Sequence, residues 1–325
     1  MLIRPELQAL RSDDAPQRSA QDSFRRLLEA WRAAPSGAAA EAELARFHHG
    51  APLADLPLLA DLFCPDSEQW HRLLDSLLCP LLSQIAAQPL SQSPLRYVTN
   101  DAFTSLVLAR CGTTALTLHY VSGIGLATRP APLSASFLPT ETWERVLAGT
   151  AQATQVSTGQ VSPERAELVQ TPCRLGPGHV QCRHGQREAL ILHAVPTSLV
   201  QLRLQRRTSM TSPMREYRLS DGHLIHQAAG TPRDSRLELT VNLLGRMKRR
   251  DAAPMLAAMA QEQGSDSLRW QALRECLALD TETGFRNLCA LAEKSDDPLH
   301  RPAAALRQKL LQLHPELNGI CPCPA

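Results

Sequence analysis

Between residues 20 and 90 the apolar positions recur every three or four residues, as in Phe24, Leu27, Leu28 and Trp31 of SFRRLLEAW and again through SEQWHRLLDSLLCPLLSQI. That is the period of helices that bury one stripe. Breaks at APSG, Pro52 and CPDS divide the stretch into three or four helices. After QPLSQSPL the period shortens, and FTSLVLAR and ALTLHYV flank CGTT as strand, turn and strand. TETWERVLAG reads as a short helix capped by Thr140 or Thr142. Beyond it AELVQTPCRL, HVQCRH, EALILHAV, SLVQLRLQRR and MREYRLSDGHLIHQA are punctuated by GPG, GQ, PT and DG, which predicts an antiparallel sandwich or barrel.

From Asp234 the helical period returns in SRLELTVNLLGRMKR and APMLAAMAQEQ, with Pro254 near a helix start. DSLRWQALRECLAL, beginning at Asp266, and DPLHRPAAALRQKLLQL, beginning at Asp297, echo one another. Each has an Asp ahead of its helix, a Leu two residues on and a basic residue beside it. The pair resembles HEAT-type repeats. That resemblance implies a cap from the Asp, a brace from the basic residue, and a helical surface open to a protein partner.

The charge is nearly balanced, 34 Lys and Arg against 32 Asp and Glu in 325 residues, so nucleic acid is not an expected partner. The basic runs LRLQRR (Arg203, Arg206, Arg207) and GRMKRR (Arg246, Lys248, Arg249, Arg250) carry no interleaved aromatics and read as solvated faces. The N-terminus lacks the apolar core of a secretory signal, and no stretch reaches the length of a membrane span. Nine scattered cysteines suit a reducing compartment. Together these predict a cytoplasmic protein, and the Ala, Leu and Arg bias points to a bacterial source. YVSGIG lacks the third glycine and the context of a dinucleotide fingerprint, and no phosphate-binding loop or nucleophile elbow occurs.

The densest group of potential metal ligands is PGHVQCRHGQREALILH, residues 177–193. Pro177 and Gly178 precede Cys182-x-His184, and Glu188 follows. Residues 182 and 184 would share one face of a strand, and Glu188 could return from the next strand to the same pocket. The stretch resembles the metal motif of cupin barrels, with Cys182 in the first ligand position. The resemblance implies a divalent transition metal, Fe(II), Mn, Ni or Zn, held by Cys182, His184 and Glu188 and completed by His226 or His223. RHGQRE also reads as a polar hairpin turn, which would leave His184 and Glu188 in a solvent-exposed loop. Tyr217 and Arg215 share parity on the following strand and are candidates to orient a substrate at a barrel mouth, or else belong to a charge-protected edge. Cys321 and Cys323 form a terminal Cys-x-Cys that suits a soft metal, thiol redox chemistry or an unstructured tail.

The expected fold is α+β: a helical unit over 1–92, a cupin-like antiparallel β domain over 93–229, a helical unit over 230–318 and a tail over 319–325. Two functions follow. One is a metal-dependent enzyme, oxygenase or isomerase in type, acting on a small molecule or peptide. The other is a metal-free barrel in a protein-interaction or regulatory protein, with a homodimer open to either.

Overall fold

The computed structural model describes residues 12–67, 70–88 and 92–320; Cys321 and Cys323 lie outside them. The chain divides into two compact units. One comprises Met1–Thr208 and Arg218–His223, the other Ser209–Tyr217 and Leu224–Ala325.

The first unit opens with four helices: α1 (Ala15–Ala33), α2 (Pro35–His48), α3 (Pro57–Leu62) and α4 (Trp70–Ala87). Helix α1 buries Phe24, Leu28 and Trp31 on one stripe, as its spacing predicts. Proline opens α2 and α3, where its missing N–H removes no intrahelical bond. The Glu43 carboxylate accepts the backbone N–H groups of Leu58 (3.2 Å) and Leu59 (2.9 Å) at the start of α3.

The strands follow: β1 (Tyr97–Thr99), β2 (Phe103–Cys111), β3 (Thr114–Ser122), then helix α5 (Gly123–Ala127), β4 (Ser134–Phe137), β5 (Thr140–Gly149), β6 (Ala151–Val161), β7 (Ala166–Leu175), β8 (Val180–His184), β9 (Glu188–Ala194) and β10 (Ser198–Arg207). They build a six-stranded antiparallel sheet in the order β1-β2-β3-β10-β5-β8 and a three-stranded sheet in the order β7-β6-β9. The sheets do not close into a barrel. The CGTT turn joins β2 to β3, with Gly112 at φ 53°. Gly149, at φ 81°, is where the chain leaves one sheet for the other, and a Cβ there would lie 1.8 Å from the Ser198 carbonyl oxygen.

TETWERVLAG is not a helix but β5. Its neighbours β10 and β8 supply the backbone partners, and its residues alternate between two differently lined faces. Tertiary pairing overrides the helical propensity of its Glu, Leu and Ala residues.

One face of the large sheet carries Leu108, Leu116, Leu202 and Leu204 into a core shared with Phe24, Leu44, Phe47 and Leu77 of the helices. Helices α1 to α4 therefore cover this sheet. A second core lies between the sheets and includes Val121, Val146, Ala153, Leu175 and Leu199.

The second unit contains β11 (Met214–Arg218) as far as Tyr217 and β12 (Leu224–Ala228), then helices α6 (Pro232–Arg246), α7 (Ala253–Gln261), α8 (Asp266–Leu279), α9 (Thr281–Glu293) and α10 (His300–Leu313). Helix α8 serves two cores. Ala272 and Leu273 pack with Phe285, Leu288 and Ala303, while Leu268 and Cys276 pack with Val241 and Leu256. In the echoing segments, Arg269 reaches Asp297 at 2.5 Å with side chains 7% and 13% exposed, and the other Asp297 oxygen accepts the Leu299 N–H at 2.9 Å.

Candidate functional site

The residues of the expected metal motif are not brought together. Cys182 pairs in register with Trp143 and His184 with Glu141. Trp143 packs into the helix-facing core, and Glu141 binds Arg206, whose guanidinium sits 4.1 Å from the Phe47 ring of α2. Strand alternation thus directs residues 182 and 184 towards the helices and residue 183 between the sheets. Burial pushes the Cys182 thiol up to about 11, with the Glu141 and Glu188 charges adding to it.

His184 is exposed at the end of β8, and its backbone N–H donates to Glu188 Oε2 at 2.8 Å. The Arg187 N–H returns to the His184 carbonyl at 2.8 Å. The Glu188 carboxylate therefore closes the turn between β8 and β9, which is the polar-hairpin reading of RHGQRE. His223 is exposed and donates its N–H to Asp221 Oδ1 at 3.1 Å. His226 is exposed on β12 opposite Glu216. Tyr217 is buried at 2% exposure rather than lining a mouth, and Arg215 donates to Gln227 Oε1 at 3.4 Å. Among the described residues no group of three or more His, Cys, Asp or Glu side chains is placed to hold a metal ion. The residues present do not fit the implied metal.

What does face the space between the sheets is a polar cluster that the sequence reading missed. Gln201, Arg203 and Gln205 alternate on β10 with the helix-facing Leu202 and Leu204. Across the ladders they meet Thr142 and Glu144 of β5, and beyond those Arg183 and Gln181 of β8. Glu144, 1% exposed, is the hub. Its Oε1 accepts Arg203 Nε at 2.7 Å and Nη2 at 2.5 Å. Its Oε2 accepts Gln181 Nε2 at 2.8 Å and also Arg183 Nη2. Burial acts to raise the Glu144 carboxyl, but the charges of Arg203 and Arg183 and the bonds from Arg183 and Gln181 outweigh it and hold the group at about 2.

On β3, burial pushes His119 down to about 3, helped by the Arg203 charge and opposed by that of Glu144. Its imidazole is therefore neutral, with Nε2 2.9 Å from Thr117 Oγ1. Arg203 and Arg206 of the LRLQRR run are tied into ion pairs rather than solvated, whereas Arg246, Lys248, Arg249 and Arg250 are exposed as expected.

The cluster forms one end of a cleft of about 940 Å³. Thr142, Arg183, Gln201, Arg203 and Gln205 line the polar end, and Phe103, Leu126, Leu190 and Leu192 supply apolar wall. Arg129 lies 5.1 Å from the Phe103 ring. Gln201 is 3% exposed, and its amide nitrogen has no hydrogen-bond partner. A buried donor left unmade costs free energy, so a partner there stabilises the protein.

No family model and no curated protein matches the chain. Among solved structures it is similar to the Momordica charantia 7S globulin, at 12% identity over 39% of this chain and 36% of that one, with a TM-score of 0.26. It is similar to a cupin superfamily protein from Desulfitobacterium hafniense, at 14% identity over 33% of this chain and 79% of that one, with a TM-score of 0.22. A third likeness is to ectoine synthase from P. lautus, at 10% identity over 34% and 67% of the two chains, with a TM-score of 0.22. The chain thus spans about a third of the globulin's length. Among the described residues no helix is long and apolar enough to cross a membrane.

Proposed function

We propose that the first unit is a cupin-type sandwich that binds a small polar molecule in the cleft between its sheets, through the Arg183, Glu144 and Arg203 cluster instead of a metal. The unpartnered Gln201 amide nitrogen at the floor of the cleft carries this reading. A metal-dependent enzyme is less favoured, because Cys182 and His184 belong to the sheet face turned away from the cleft.

The test is the Gln201→Leu variant, which nearly preserves shape and deletes the orphan donor. In ligand-free protein it is expected to raise stability by about 1–2 kcal/mol. Fragments that bind wild type in a ligand-observed NMR screen are expected to be lost from the variant. Fragments binding both proteins alike, or none binding either, would sink the proposal. So would a stoichiometric transition metal in tag-free protein that disappears in His184→Ala.

A further inference from the structure

The chemistry of the two ends of the cleft points to a particular class of ligand. We infer that the cleft takes a monocarboxylate with a compact apolar body, its carboxylate received by Gln201, Arg183 and Arg203 and its body by Phe103, Leu126, Leu190 and Leu192. The inference rests on the cleft being a binding site, and adds charge and shape to it.

At the polar end donors outnumber acceptors. The Glu144 carboxylate already takes bonds from Arg203, Arg183 and Gln181, and Thr142 Oγ1 accepts from Gln205 Nε2 at 3.0 Å. What remains is the Gln201 amide nitrogen, with two N–H groups, and Arg183 Nε, neither with a partner, on guanidinium and amide groups that suit the planar fork of a carboxylate. Arg129, Arg183 and Arg203 against Glu144 and Glu188 leave a single positive charge around the cleft, because His119 contributes none. One negative charge satisfies that balance and two exceed it.

At the other end the four apolar side chains pack on the inter-sheet core but are only partly buried. Surface of this kind gains by covering a hydrocarbon body.

The test titrates the full chain by calorimetry with phenylacetate, isovalerate and acetate, the corresponding amides phenylacetamide and isovaleramide, succinate and inorganic phosphate. The acids are expected to bind at least tenfold more tightly than their amides and than succinate or phosphate. Gln201→Leu is expected to weaken the acids tenfold or more. Leu192→Ala is expected to weaken phenylacetate several-fold and leave acetate unchanged, which keeps the test independent of one variant. Amides binding as well as acids, or phosphate or succinate binding best, would overturn the inference while leaving the cleft as a binding site. Absence of binding by every probe at millimolar concentration would also overturn it. The fragment screen with Gln201→Leu then decides separately whether the cleft binds anything.

Discussion

On the helix-facing side of the six-stranded sheet, Arg145 and Arg206 end on backbone carbonyls of the helical layer. Arg145 donates to Cys64 at 2.6 Å and Ser67 at 2.8 Å, and Arg206 to Phe47 at 3.0 Å and Ala51 at 2.9 Å. On the cleft side, Arg183 and Arg203 converge on the one carboxylate of Glu144, beside the unpartnered Gln201 amide nitrogen, though Arg145 Nε on the other face also lacks a partner. The difference separates fastening from recognition. Carbonyls held by a guanidinium fix a loop, whereas cations gathered around a single anion with donors to spare are arranged for something else to arrive.

The largest effect that would break this contrast is expected from Glu144→Gln, which leaves two arginines on neighbouring positions of one sheet face with no carboxylate between them. A loss of about 3 kcal/mol is expected, read by hydrogen exchange of the β10 amides. If the loss is under a third of that, the cluster is screened by solvent and the cleft-side half of the contrast fails. Arg145→Met is expected to cost about 2 kcal/mol, because buried carbonyls lose their donors, and to leave affinity in the cleft unchanged. A weakened affinity would mean that the two faces are coupled.

Acid should sharpen the contrast. His119, lowered to about 3, and Glu144, lowered to about 2, both bind protons more readily in the unfolded chain. The His119 contribution is complete above its ordinary 6.5 and declines as pH falls towards 3, and the Glu144 contribution declines between its ordinary 4.5 and about 2. Stability of the first unit is therefore expected to fall from pH 6.5 downward, by up to ~1.4 kcal/mol per pH unit per proton. His119→Gln should flatten the curve between 6.5 and 4.5, and an unchanged curve in that variant would refute the assignment. The smallest effect belongs to His184→Ala, expected to stay within about 0.5 kcal/mol of wild type in urea denaturation.

Much of the fold was legible because one-sided burial writes its period into the chain: Phe24, Leu28 and Trp31 mark a helix, and FTSLVLAR and ALTLHYV mark a hairpin. β5 escaped because both of its faces carry polar groups, Thr142 and Glu144 towards the cleft, and Glu141 and Arg145 towards the helices. With no apolar side to count, the period of two disappears. The site failed by a single residue of parity. The spacing from 182 to 184 correctly implied a shared strand face, but which face is set by pairing with β5, and that pairing turns Arg183 inward. SLVQLRLQRR did hold the signal. Gln201, Arg203 and Gln205 alternate strictly with Leu202 and Leu204, which marks a strand buried on both sides rather than a solvated basic run.

The position of β10 also imposes an order in time. It lies between β3 and β5 in the sheet, yet it is the last of the six strands to be synthesised. At roughly 5–20 residues per second on the ribosome, several seconds pass between completion of β3 and emergence of Leu202 and Leu204. Throughout that interval Leu44, Phe47 and Leu77 of the helical layer lack the strand that seals them. The nascent chain is then at its most adhesive, and a stalled or shortened translation product ending before β10 should be a client for chaperones rather than a folded fragment.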